Sequence, residues 1–180
     1  MSYRNSLFSY GSVAKFFHWL IALLIIAMLI YGYFLENIPK AYAGFAYNLH
    51  KMTGITIFAL VVLRMLWGAI NPKPMIPPGT PMWQRLSEYL VHYTLYLCIL
   101  AMPLAGWIGS SAAGKAPHLG GINFMLPIAQ SKTISSASFF IHNNLAIIII
   151  VLVSVHVLAA LYHHFIKRDN ILRRMLPYGG

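Results

Sequence analysis

The sequence predicts an all-α fold, an integral membrane four-helix bundle with both termini in the cytoplasm. Three observations predict it: an apolar composition, four long apolar stretches, and an uneven distribution of lysine and arginine. The 180-residue chain is 59% hydrophobic and only 9% charged, and its mean hydropathy is +0.68. Water-soluble domains of this length are much more polar, so the composition indicates a chain surrounded by lipid.

Four apolar stretches are long enough to cross about 30 Å of hydrocarbon. They cover residues 16–35, 52–70, 89–109 and 139–165, within a single domain over 1–180. The third contains Pro103, which is expected to kink that helix or to end its regular part. The connections are predicted at 36–51, 71–88 and 110–138. The second is rich in proline and is therefore expected to be extended.

The placement of basic residues predicts the orientation. Nine lie at the N-terminus, the second connection, the C-terminus or the adjoining helix ends, and four lie on the opposite side. The nine are Arg4, Lys15, Arg64, Lys73, Arg85, Lys167, Arg168, Arg173 and Arg174, and the four are Lys40, Lys51, Lys115 and Lys132.

Because the basic residues form no continuous stripe, no nucleic-acid partner is expected. Residues 41–43 resemble a signal-peptide cleavage site, but the apolar run before them is too long and ends too early.

Two pairs of histidines are the strongest candidates for a functional site. His142 and His156 are 14 residues apart, so both leave the same helix face, about 21 Å apart along the axis. Alternating helix directions place His50 beside His142 near the outer surface, and His18 beside His156 nearer the cytoplasm. Facing imidazoles in a bundle are typical haem ligands, so two haems are predicted. Since the chain has no CxxCH motif, both would be b-type and non-covalent.

The remaining histidines leave alternatives open. His163 competes with His156 as the partner of His18, because it shares that face and matches the shallow depth of His18. Electron transfer favours His156, since pairing through His163 would place the two metal sites about 31 Å apart along the helix. His92 would either contact a haem propionate or quinone, or only pack. His118 and His164 are expected to be ordinary interfacial residues.

Several motifs together resemble the bacterial cytochrome b561 family over nearly the whole chain. They are VAKFFHWL, NLHKMTG, VHYTLYLCILAMPLAGW, IHNN and SVHVLAALYHHFIKRDNILRRM. The resemblance implies that the haem ligands are His18, His50, His142 and His156, and so favours His156 over His163. Arg64 would then either pair with a propionate of the inner haem or extend its charge to the membrane interface.

The resemblance also implies a function and a location. Family members are small electron carriers of the bacterial inner (plasma) membrane, and some resemble a superoxide:ubiquinone oxidoreductase. The expected partners are therefore membrane lipid, quinone and a small redox donor such as superoxide. The four outer lysines would give a mildly attractive field for anions. The sequence contains no nucleophile–base pair, P-loop or dinucleotide fingerprint, so no catalytic residue is predicted.

Two other functions remain as alternatives. The chain could be the cytochrome b anchor subunit of a hydrogenase or formate dehydrogenase, which requires a large protein partner. It could also be a haem-free metal transporter that uses the same histidines. Zinc and copper sites usually add carboxylates or thiolates, and this chain has three acidic residues and one cysteine. The transporter is therefore the weaker alternative.

Overall fold

A computed structural model describes residues 2–77 and 79–177, and its main elements are four long helices. These are α1 Ser12–Phe34, α2 Lys40–Ala69, α3 Met82–Ala112 and α4 Lys132–Tyr162. A 3-10 turn, Leu35–Asn37, extends α1, a π-helix, His163–Lys167, extends α4, and a second 3-10 turn covers Arg173–Met175. All four helices are long and apolar enough to cross a membrane. The predicted four-helix membrane bundle is confirmed.

The helix starts follow from local chemistry. Pro39 and Pro81 directly precede α2 and α3, where the missing N–H breaks no intrahelical hydrogen bond. Ser131 precedes α4, and its hydroxyl oxygen accepts a hydrogen bond from the Ile134 backbone N–H at 3.3 Å. Helix α3 continues through Pro103 to Ala112, so this proline does not end its regular part.

All three predicted connections are longer than those in the structure. Most of the predicted connection 36–51 is helical because α2 begins at residue 40, and α3 and α4 begin at 82 and 132 rather than at 89 and 139. Hydropathy identifies only the part of a helix inside hydrocarbon, whereas a helix once formed extends cheaply into the polar interface. The third connection also contains an unpredicted hairpin of β1 His118–Leu119 and β2 Ile122–Asn123. The described part of residues 71–81 is non-helical, as predicted.

The core lies between the helices at mid-height. Ile21, Ile57 and Val61 are buried where α1 and α2 meet, and Tyr96 of α3 packs against them. On α4, Ile149 is 1% exposed. Most of the outward-facing side chains of α4 are apolar and exposed, which is expected of a helix that contacts lipid. Helix α3 packs along α4, α1 along α2, and α2 along α3.

The connections tie each end of the bundle together. At the terminal end, which comprises residues 2–11, 71–77, 79–81 and 168–177, the Trp19 indole donates to the Met175 carbonyl at 2.9 Å. The Arg174 guanidinium donates to the Met75 carbonyl there at 2.6 Å. The hairpin end comprises residues 35–39 and 113–131. There Asn48 of α2 exchanges two hydrogen bonds with the backbone of His118.

Candidate functional site: two histidine layers

A spacing of 14 residues recurs on every helix of the bundle. The pairs are His18 and Gly32 on α1, His50 and Arg64 on α2, His92 and Gly106 on α3, and His142 and His156 on α4. Since 14 residues are close to four turns, both members of each pair leave the same face. The antiparallel helices sort these positions into two layers. The terminal layer contains His18, Arg64, His92 and His156, and the hairpin layer contains Gly32, His50, Gly106 and His142.

In the terminal layer, the structure brings His18 of α1 against His156 of α4. Their ring centroids are 6.2 Å apart and the ring planes are inclined by 66°. His92 of α3 lies edge-on to His156 at 5.1 Å. Its Nδ1 donates to the Glu88 carbonyl at 2.7 Å, because a carbonyl can only accept. That bond holds the His92 ring beside the pair.

Arg64 turns into the terminal layer from α2. Its Nε donates to the Tyr96 hydroxyl of α3 at 3.0 Å, and its Nη1 donates to the Ala14 carbonyl of α1 at 3.3 Å. The half-buried guanidinium therefore joins three helices and lies within electrostatic range of His18. Tyr10, just before α1, belongs to the same polar surroundings, and burial raises the pKa of its hydroxyl.

In the hairpin layer, His50 of α2 faces His142 of α4. Their ring centroids are 6.1 Å apart with ring planes inclined by 69°. His142 Nδ1 donates to the Met102 carbonyl of α3 at 2.8 Å, which leaves Nε2 as the unprotonated nitrogen of a neutral ring. His50 stacks on Tyr31 at 6.2 Å, and its Nδ1 is buried without a hydrogen-bond partner among the described residues.

Two glycines make room for the imidazoles of the hairpin layer. A Cβ on Gly106 would lie 2.9 Å from His142 Nδ1, and a Cβ on Gly32 would lie 3.2 Å from His50 Cε1. The first distance is shorter than real Cβ contacts, so a larger residue at 106 would displace the His142 ring. These two glycines were missed by sequence reasoning. The signal that could have found them is the same 14-residue spacing from His18 and His92.

The spacing of each pair fits a single metal ion held between two imidazoles. Metal–imidazole bonds of about 2 Å hold opposed ring centroids about 6 Å apart, because the bonded nitrogen lies about 1 Å from the ring centre. Across residues 2–77 and 79–177, no group of three or more histidine, cysteine, aspartate or glutamate residues could hold a metal ion. Two histidines fit a metal whose other positions are filled by a macrocycle, as in haem.

An apolar layer separates the two pairs. Ile149 lies midway between His142 and His156 on α4 and is 1% exposed. Ile21, Ile57 and Val61 are buried on α1 and α2. The two histidine pairs are therefore separate sites, about 21 Å apart along the helix axis.

The other histidines have different surroundings. His163 Nδ1 contacts the Asp169 carboxylate, and its ring lies against Tyr162. His118 lies on β1, at the hairpin end. The structure thus places His156, and not His163, against His18, while the ligand assignment itself stays a prediction.

The family match and the similar proteins of known sequence agree on one family. Residues 9–178 match the prokaryotic cytochrome b561 family. The chain is 35% identical over 182 residues to cytochrome b561 homolog 2 of Escherichia coli K12, and the alignment covers 98% of this chain and 95% of that protein. It is 31% identical over 168 residues to cytochrome b561 homolog 1 of the same organism, covering 90% and 93%. It is 29% identical over 172 residues to a probable superoxide oxidase, CybB, of Yersinia pestis, covering 89% and 91%.

Proposed function

Since the chain belongs to the prokaryotic cytochrome b561 family, it is a membrane b-type cytochrome that transfers electrons, and we propose that it holds two b haems. His18 and His156 would hold one, and His50 and His142 the other. The observation that carries this proposal is the pair of centroid distances, 6.2 and 6.1 Å, between histidines of facing helices. Both distances agree with two imidazoles on one metal ion.

A neighbouring backbone carbonyl would orient one of these ligands. The bond from His142 Nδ1 to the Met102 carbonyl fixes the tautomer that presents Nε2 to a metal, a common arrangement for ligating histidines. Each bound haem would supply an iron atom that alternates between the ferric and ferrous states. Because two histidine nitrogens would hold each iron, the sites would favour outer-sphere electron transfer over oxygen binding.

Arg64 is proposed to pair with a propionate of the terminal-layer haem. It is half-buried, and its guanidinium has hydrogen bonds to α1 and α3 instead of extending outward along α2. Charged side chains inside a membrane bundle usually serve a site, and a guanidinium binds a carboxylate with two parallel bonds.

We expect Arg64→Gln to lower the reduction potential of one of the two haems by tens of millivolts, because a nearby positive charge stabilises the ferrous state. Redox titration of the purified protein would measure this. Arg64→Lys should restore most of the potential, and Arg4→Gln, at an exposed N-terminal position, should leave both potentials unchanged. Equal shifts in Arg64→Gln and Arg4→Gln would contradict the assignment.

The terminal end is proposed to face the cytoplasm, across a bacterial inner membrane. The excess of lysine and arginine at that end supports this orientation. In cells, Gly121→Cys in the hairpin turn should react with a membrane-impermeant maleimide, and Ser2→Cys should react only after permeabilisation. The native thiol, Cys98, is buried in α3 and should give little background. Reversed labelling of the two variants would show the opposite orientation.

Superoxide on the outer side is the proposed electron donor, and membrane quinone is the proposed acceptor. Two superoxide anions would give up two electrons and become two oxygen molecules, while one quinone takes two electrons and two protons to become a quinol. One relative carries the name probable superoxide oxidase. On α2, Lys51 follows His50 directly, and its ammonium group donates to the Lys115 carbonyl of the hairpin end at 2.6 Å. Two lysines so close to the hairpin layer would attract a small anion.

The experiment that tests this proposal supplies superoxide to the holoprotein in liposomes that contain ubiquinone. Ubiquinol should accumulate at one molecule per two superoxide anions, and superoxide dismutase should abolish it. The rate should fall as ionic strength rises, because salt screens the attraction of the anion to the lysines. If a chemical reductant reduces the haems and superoxide does not, the donor is a different molecule.

A further inference from the structure

A cleft with two arginines in its wall lies at the end of α4 and has no role in the proposed electron transfer. Its volume is about 310 Å³, and it is lined by His164, Phe165, Arg168, Asp169 and Arg173. We propose that this cleft binds the phosphate group of an anionic phospholipid from the leaflet at the terminal end. The proposal depends on the membrane location of the bundle and not on the haem assignment.

The polar groups of the cleft suit an anion. Among the described residues, neither the Arg168 nor the Arg173 guanidinium forms a hydrogen bond to another residue, so both are available to a phosphate. The lining carboxylate of Asp169 is already engaged, because it contacts His163 and accepts a hydrogen bond from the Ile171 backbone N–H at 3.0 Å.

The backbone at Arg168 is strained in a way that serves this arrangement. Its φ is 56°, and it is the one non-glycine residue with positive φ in the described chain. A left-handed conformation is strained for a non-glycine residue, and such residues cluster at binding sites. Here it ends the π-helix and places the guanidinium on the wall of the cleft. A glycine would adopt this conformation without strain, but it has no charge to offer.

The cleft lies at the outer edge of the headgroup layer, and the exposed apolar side chains beside it favour a lipid over free phosphate. Ile149 lies at the middle of the 36-residue apolar span 132–167, and His164 follows it by 15 residues, about 22 Å along the axis. The headgroup layer of a bilayer ends about 20–22 Å from the midplane. Phe165 and Ile166 are 66% and 69% exposed beside the cleft, so acyl chains can pack there while the phosphate contacts the arginines.

Native mass spectrometry of the detergent-purified holoprotein would test the proposal, with phosphatidylglycerol as the probe and phosphatidylcholine as the neutral comparison. We expect phosphatidylglycerol to bind, and Arg168→Gly to weaken that binding about fivefold to tenfold, because it deletes the charge and keeps the backbone conformation. Arg173→Gln should weaken it similarly. Lys167→Gln is the matched control, because Lys167 is adjacent and exposed but does not line the cleft.

Each outcome of this experiment has a definite meaning. Unchanged haem content in the variants would show that they are folded, so weaker binding would come from the lost side chain. Equal weakening in Lys167→Gln and Arg168→Gly would overturn the proposal, because diffuse attraction to the basic surface would then explain the binding. Full competition by millimolar inorganic phosphate would also overturn it, in favour of a soluble anion. Failure of these lipid tests would leave the haem proposal intact.

Discussion

Replacing His142 with alanine is expected to remove the haem of the hairpin layer and to leave that of the terminal layer. His156→Ala is expected to do the reverse. A non-covalent b haem is held mainly by its axial ligands and by packing, so loss of one imidazole should abolish the low-spin signal of that site. Haem per protein should fall by about half in each variant, as measured by pyridine haemochrome assay and by the low-spin spectrum.

His163→Ala is the matched control for this experiment. It removes a histidine from the same helix face, one heptad beyond His156, where the ring contacts Asp169. Both haems should remain in this variant. The remaining haem in the other two variants also reports that the bundle has folded. A full low-spin spectrum in His156→Ala, together with loss of one haem in His163→Ala, would show that the ligand assignment is wrong.

Gly106→Ala should disturb the hairpin layer nearly as severely as loss of a ligand. The added Cβ would lie 2.9 Å from His142 Nδ1, and that nitrogen is also the donor to the Met102 carbonyl. The ring can avoid the methyl group only by giving up this bond or by turning Nε2 away from His50. We expect partial or complete loss of one low-spin haem and little change in the other, measured by the same spectra.

Two further glycine variants give this prediction a graded control. Gly32→Ala should have a milder effect, because its Cβ would lie 3.2 Å from His50 Cε1, a contact that a shift of a few tenths of an ångström relieves. Gly68→Ala should leave both haems in place, since nothing lies within 4 Å of the added atom. Because alanine stabilises a helix relative to glycine by about 0.5–1 kcal/mol, a loss of haem in these variants would not come from a weaker helix. An equal loss of haem in all three variants would contradict the proposed role of Gly106.

The histidine pairs could be predicted because helical periodicity and alternating helix direction are properties of the sequence alone. His142 and His156 share a face by their spacing, and antiparallel neighbours bring His50 and His18 to matching depths. The choice between His156 and His163 could not be made in this way, because both lie on that face. In the structure His163 instead contacts the Asp169 carboxylate. The turn at Arg168 brings Asp169 beside His163.

The glycines and the connections were beyond such reasoning for physical reasons. Whether a helix needs glycine at a position depends on which side chain of the neighbouring helix packs there. At Gly106 that side chain is the His142 ring of α4. Hydropathy also fails at the membrane interface, where polar residues continue a helix that hydrocarbon has begun. The first turns of α2 were missed for this reason. The hairpin at residues 118–123 was missed because strands of two residues are too short to show an alternating pattern.

The measurement that tests the two-haem proposal most directly is the reduced-minus-oxidised spectrum of the purified protein, combined with a pyridine haemochrome count. The proposal predicts two b haems per chain, both low-spin, because each iron would have two histidine ligands. A count of one haem per chain would contradict the two-layer assignment. Purified protein without haem, after expression with ample haem supply, would contradict the electron-transfer function itself.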